Sequence, residues 1–182
     1  MSMPLARPGT PDSAAAAAGP DLVGLAPVID RSARLVVLGS FPGVASLRAG
    51  RYYGHPRNHF WPILSALWNH DLVALPAEDR LDVVRAHGVG LWDVYASCRR
   101  VGSLDSAIEQ PRLNDLASLR RLAPGLRAVA HNGGESARAL HATRALGVPA
   151  LRLPSTSAAN ASWSFERKLA AWREAFERYG VA

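Results

Sequence analysis

Short aliphatic runs alternate along this chain with longer stretches in which apolar residues recur every three or four positions. "RLVVLGS" (34–40) is a continuous aliphatic run closed by Gly-Ser, the pattern of a strand buried on both faces. "VGLWDVY" (89–95), "LRAVAHN" (126–132) and "PALRLP" (149–154) repeat it. Between them, "NHFWPILSALW" (58–68) has helical spacing, with Asn58 as its N-cap. "PAEDRLDVVRAHG" (76–88) opens with Pro and acids and closes with Gly, as helices do. Residues 113–125, 134–147 and 164–180 predict three further helices, the last amphipathic.

Strands alternating with helices predict an α/β protein, a three-layer α/β/α sandwich around a central, mostly parallel four-stranded sheet. Ligands of such sheets bind beyond the carboxyl ends of the strands. The segments expected there are "GSFPGVAS" (39–46), "DVYASCRR" (93–100), "HNGGES" (131–136) and "LPSTSAAN" (153–160). Four polar or glycine-rich loops thus converge on one edge of the sheet.

Composition narrows the class. The 182 residues, 48% apolar and 20% charged, suit one soluble globular domain. No apolar run approaches the roughly 18 residues that span a bilayer, so no membrane partner is expected. Residues 1–30 carry a short "AAAAA" run but no signal-peptide pattern. They are expected to form a disordered tail, with residues 31–182 as the folded domain and a cytoplasmic location. Cys98 is the sole cysteine, which excludes internal disulfides and zinc sites built on paired cysteines. It reads as a buried apolar residue. The formal net charge is +6, and the tail holds one Arg against three Asp, so the body carries +8. A basic body points to a polyanionic partner.

The loops carry the chemistry. "GSFPGVAS" lacks both the dinucleotide-binding and the P-loop patterns, and no cofactor is expected. Phe41 projects from its centre, either filling the core or forming a floor for a planar ligand. In "YYGHPRNHFW" (52–61), His55 and His59 have metal-ligand spacing, but Pro56 interrupts a helix and no acid completes the set. No metal is expected. Asn58 serves equally as a helix cap or as an amide that accepts from a water and donates to developing charge. Asp93 ends an apolar strand, where an acid needs an Arg partner or a ligand donor to read. Asn132 ends another strand ahead of two glycines. Ser155, Thr156 and Ser157 follow Pro154 and offer hydroxyls suited to phosphate.

Taken in this order, "LGSFPGVASL", "YYGHPRNHFW", "GLWDVY", "HNG" and "LPSTSAANA" resemble the uracil-DNA glycosylase superfamily, most closely its hypoxanthine-DNA glycosylase branch. The resemblance spans about residues 34–163. It implies a monofunctional DNA glycosylase of base excision repair, acting on a flipped deaminated base: hypoxanthine first, uracil second. Its implied partner is double-stranded DNA containing the damaged base, bound by a monomer. Many members carry a catalytic Asp or Asn where this chain has Phe41, and the resemblance moves the catalytic amide to Asn58. Gly39, Ser40, Phe41, Tyr53, His55, Asp93 and Asn132 would then form the base pocket. Ser155, Thr156 and Ser157 would grip the DNA backbone. Bifunctional glycosylases use an amine, and the sole lysine, Lys168, is expected on a solvated helix face. The competing expectation is a non-catalytic nucleic-acid-binding protein using the same basic, aromatic-lined face.

Overall fold

A computed structural model describes residues 19–182. The part of the expected tail in residues 1–18 lies outside the described residues. Residues 19–30, assigned to the same tail, belong to the fold: strand β1 (Asp21–Val23) pairs with a later strand, and Val28 bridges Leu91.

The central sheet consists of β2 (Leu35–Gly39), β3 (Val89–Asp93), β6 (Ala128–Asn132) and β7 (Ala150–Leu153). Their order is β3-β2-β6-β7, and every pairing is parallel. All residues of β2 and β3 are buried, as their unbroken aliphatic runs require. The two-residue strand period divides β2 between two cores. Leu35 and Val37 pack with helices α2 (Phe60–Trp68), α3 (Ala77–Ala86) and α6 (Phe165–Arg178). Val36 and Leu38 pack with α4 (Leu119–Leu122) and the 3-10 turns that precede α4 and α5 (Leu140–Arg144). The three-layer α/β/α sandwich follows. No described helix is long and apolar enough to cross a membrane.

Local chemistry shifts several boundaries. The strand expected over 89–95 leaves the sheet at Asp93. Val94 and Tyr95 donate to the Gly39 and Ser40 carbonyls, and the chain continues as β4 (Tyr95–Arg99). There β4 lies between β1 and β5 (Glu109–Leu113) in a second, antiparallel sheet absent from the sequence reading. The helix expected over 113–125 shrinks to Leu116–Leu122, because β5 occupies its start and Pro124 closes its end. That over 134–147 begins as a 3-10 turn and is α-helical only from Leu140. Part of the first loop is a short helix, α1 (Val44–Ala49). The final helix starts as expected, with Ser164 Oγ accepting from Arg167 N–H.

Candidate nucleic-acid active site

The carboxyl ends of the central strands open into a cleft of about 1100 Å³. Gly39, Ser40, Phe41, Tyr53, His55, Asn58, Asp93, Asn132, Ser155, Thr156 and Ser157 all line it. The rim adds Arg57, Arg152 and Trp163.

Asn58 sits just before α2. The helix begins at Phe60 with His59 in the capping position, so Asn58 is one residue earlier than expected of the N-cap. Its Oδ1 nevertheless accepts from Phe60 N–H at 2.9 Å, satisfying one of the helix's orphan donors. The carbonyl is thereby anchored, while Nδ2 has no protein partner among the described residues.

Beside it, Tyr53 adopts φ 52°, a left-handed conformation that costs a non-glycine residue energy. Two contacts hold it there. Its ring stacks on Phe60 at 3.7 Å between centroids, and its hydroxyl accepts from Asn132 Nδ2 at 3.3 Å. Asn132 also donates to Thr156 Oγ1 at 2.9 Å and accepts from Thr156 N–H at 2.9 Å. Thr156 carbonyl in turn accepts from His59 N–H at 2.9 Å. One chain of hydrogen bonds thus joins the strand end, the aromatic loop and the Ser/Thr loop.

That network corrects two expectations. Both Asn132 N–H bonds are used by the protein, so none remains to read a base. Thr156 is 0% exposed and cannot touch phosphate. Ser155 and Ser157 stay partly exposed, and Ser155 Oγ accepts from Ser157 N–H at 3.2 Å. Gly133 at the turn below has φ 99°, and a Cβ there would meet Ser155.

Asp93 is 4% exposed, and its Oδ2 has no hydrogen-bond partner among the described residues. No arginine among the described residues pairs with it directly, so of the two expected roles the ion pair is not seen there. Its Oδ1 fills the space a Cβ would take at Gly39, which explains the glycine. Burial, reinforced by the Asp105 carboxylate and partly offset by Arg100, pushes the Asp93 carboxyl up to about 7.

Phe41 belongs to the second core and also lines the cleft. Ser40 Oγ donates to Asp105 Oδ1 at 2.6 Å. Asp105 is a cleft residue the sequence reading missed, since its loop returns to the cleft only through the second sheet. Arg100, the last residue of the segment expected at this edge over 93–100, is buried behind Phe41.

Other candidates have structural roles. His131 is buried between Ser136 and Thr143, its ring nitrogens 2.9 and 2.8 Å from their hydroxyls, and burial lowers it to about 4. Cys98 is buried. His55 is exposed, with Nδ1 accepting from Arg57 N–H, and no metal-binding cluster occurs among the described residues. Lys168 was expected in solvent but is 1% exposed, its Nζ donating to Ser157 carbonyl at 3.4 Å.

Comparisons with known proteins match most of the chain. The family model described as "Uracil DNA glycosylase superfamily" matches residues 26–177. A hypoxanthine DNA glycosylase of Methanosarcina barkeri is 37% identical over 155 residues, covering 85% of this chain and 98% of its own length. A hypoxanthine DNA glycosylase of Methanosarcina acetivorans is 33% identical over 153 residues, covering 84% and 96%. A solution NMR structure of a candidate uracil DNA glycosylase from Methanosarcina acetivorans superposes with a TM-score of 0.80 at 31% identity, covering 87% of this chain and 98% of that one.

Proposed function

The chain belongs to the uracil DNA glycosylase superfamily, and on that premise we propose that it is a monofunctional DNA glycosylase releasing hypoxanthine from deoxyinosine in duplex DNA. The observation that carries a deaminated base over adenine is the buried, unpartnered Asp93 Oδ2 in the cleft. The names of the hypoxanthine DNA glycosylase relatives favour hypoxanthine over uracil, whose N3–H would meet the same acceptor. An unpaired buried acceptor is costly unless a ligand donor meets it. Hypoxanthine supplies that donor at N1–H, and the ionised carboxylate accepts it.

The nucleotide is flipped from the stack, and its base lies over Phe41 with the Gly39–Phe41 turn facing O6. The bond between C1′ and the base nitrogen breaks with its electron pair leaving on the base. The sugar becomes oxocarbenium-like, and water completes the hydrolysis by adding to C1′. Asn58 serves this step through its free Nδ2 and the second lone pair of its anchored Oδ1, which suit a developing charge and a water respectively. Asn132 and Thr156 hold the walls of the pocket instead of reading the base. Ser155, Ser157, Arg57 and Arg152 are the groups at hand for phosphate. The burial of Lys168 supports a monofunctional reaction, since its amine does not line the cleft.

The test uses duplexes containing deoxyinosine, deoxyuridine or mismatched thymine, incubated with the protein and then cleaved by alkali at abasic sites. Deoxyinosine duplexes are expected to be cut first, deoxyuridine more slowly. No cleavage of any duplex, with duplex still retained, would favour the non-catalytic binding reading. Borohydride is expected to trap no covalent DNA adduct.

A further inference from the structure

Arg100 is anomalous. It follows β4, is 1% exposed, and is sealed by the N-terminal segment, whose Pro20 carbonyl accepts from Arg100 N–H. A Cβ at Gly19 would collide with the Arg100 backbone, so the seal is close. Of five guanidinium N–H bonds, the Nη2 group donates to Pro42 carbonyl, while Nε and Nη1 are buried without partners. The Cζ lies 5.1 Å from the centroid of Phe41, on the ring that lines the cleft. So under-satisfied a buried cation needs a reason beyond packing.

We propose that Arg100 is a positioning residue for base recognition, bracing the Phe41–Pro42 floor from behind and supplying the positive charge that balances Asp93 and Asp105. This rests on the reading of the cleft as a base pocket. The titratable groups coupled by charge to Asp93 are Tyr52 and Tyr53 from the aromatic loop, Asp105 from the 3-10 turn Asp105–Ala107, and Arg100 from the end of β4. Both phenols are held neutral by burial, so beyond burial itself the charges that shift Asp93 are the Asp105 carboxylate, which raises it, and the Arg100 guanidinium, which lowers it. Removing each should therefore move Asp93 in opposite directions. Arg100 holds a planar, hydrogen-bonding cation over the Phe41 ring, a shape that a lysine cannot reproduce.

The test follows the Asp93 carboxyl by ¹³C NMR titration of the full chain in wild type, Arg100→Met, Arg100→Gln, Arg100→Lys and Asp105→Asn, beside the pH profile of hypoxanthine release. Loss of the cation in Arg100→Met or Arg100→Gln is expected to raise the Asp93 midpoint by about one pH unit. Asp105→Asn is expected to lower it, and Arg100→Lys to leave it close to wild type while weakening binding of the deoxyinosine duplex about fivefold or more. The acid limb of the release profile should move with the midpoint. An unmoved midpoint in the folded neutral variants would overturn the proposal, as would a rise in Asp105→Asn. Should Arg100→Met fail to fold, Arg100→Gln and Asp105→Asn still decide it. The titration needs no turnover, so a protein that releases no base at all would sink the glycosylase reading and leave this measurement standing.

Discussion

An asparagine amide has one acceptor and two donors, and at three positions here their use decides the role. Asn58 spends one lone pair on the helix start and keeps its donors, whereas Asn132 spends both donors on Tyr53 and Thr156. Two asparagines that look alike as letters therefore divide into a reacting candidate and a strut. Asn114 spends its Nδ2 on the Asp93 carbonyl at 2.8 Å, fixing the strand end that presents the buried acid. Asp93 has a cost that can be measured. Below pH about 4 its carboxyl is neutral in the folded and unfolded chain alike. Between there and pH about 7 the unfolded chain ionises first, so the folded state binds more protons and stability falls as pH rises. The loss is complete above the folded value and amounts to about 4 kcal/mol at most. Asp93→Asn is therefore expected to raise the melting temperature at pH 8 by about 5–15 °C and to change it little at pH 4. Equal effects at both pH values in thermal denaturation would refute the burial argument. The same variant should release hypoxanthine and uracil alike more slowly in the duplex panel, since both bases offer the ring N–H that the carboxylate accepts.

Among the elements, legibility followed burial. The parallel strands β2 and β3 are buried throughout, so they read as apolar runs, and even the edge strand β7, with Arg152 exposed, is bounded within a residue at either end. The second sheet was not legible, because β1 is three residues long and β5 reads "EQPRL", exposed throughout with a proline inside. Nothing in such a segment carries a strand period. Asp105 reaches the cleft, and Arg100 the back of its Phe41 wall, only because β4 and β5 fold back beside it. The Ser/Thr loop was placed correctly but misread in part: three consecutive hydroxyls look equivalent until tertiary contacts bury Thr156 and leave its neighbours partly exposed. Lys168 was misplaced for a related reason. On the α6 helix its spacing suits either face, and the Ser157 carbonyl draws it inward. If Asn132 is the strut between these elements, Asn132→Ala loses three hydrogen bonds worth about 1 kcal/mol each. The expected result is a stability loss of about 2–3 kcal/mol in chemical denaturation. Amide exchange at Thr156 should speed up well beyond that of the β2 amides. Uniform acceleration across the chain would mean that the loop is held by something else.

At the scale of the molecule, the fold, with residues 19–30 and their two aspartates included, gathers a net charge of +6 around a cleft whose rim includes Arg57 and Arg152. Charge of this kind attracts duplex without reading it, and its signature is counterion release. Binding of undamaged duplex is expected to weaken with salt at a log–log slope of about −3 to −5, as for a handful of phosphate contacts. Arg57→Ala and Arg152→Ala should each reduce that slope by about one. A slope near zero in fluorescence anisotropy would contradict the assignment of the basic face. Recognition of the base, by contrast, is confined to the cleft, so salt should weaken damaged and undamaged duplexes in parallel.

The central claim is that the anchored amide of Asn58 drives base release. It is tested most directly by single-turnover release of free hypoxanthine from a deoxyinosine duplex, with enzyme in excess, comparing wild type and Asn58→Ala at pH 8. The prediction is clear release by wild type and a loss of about a hundredfold or more in Asn58→Ala, with duplex binding retained. Release at near wild-type rate by Asn58→Ala would contradict it.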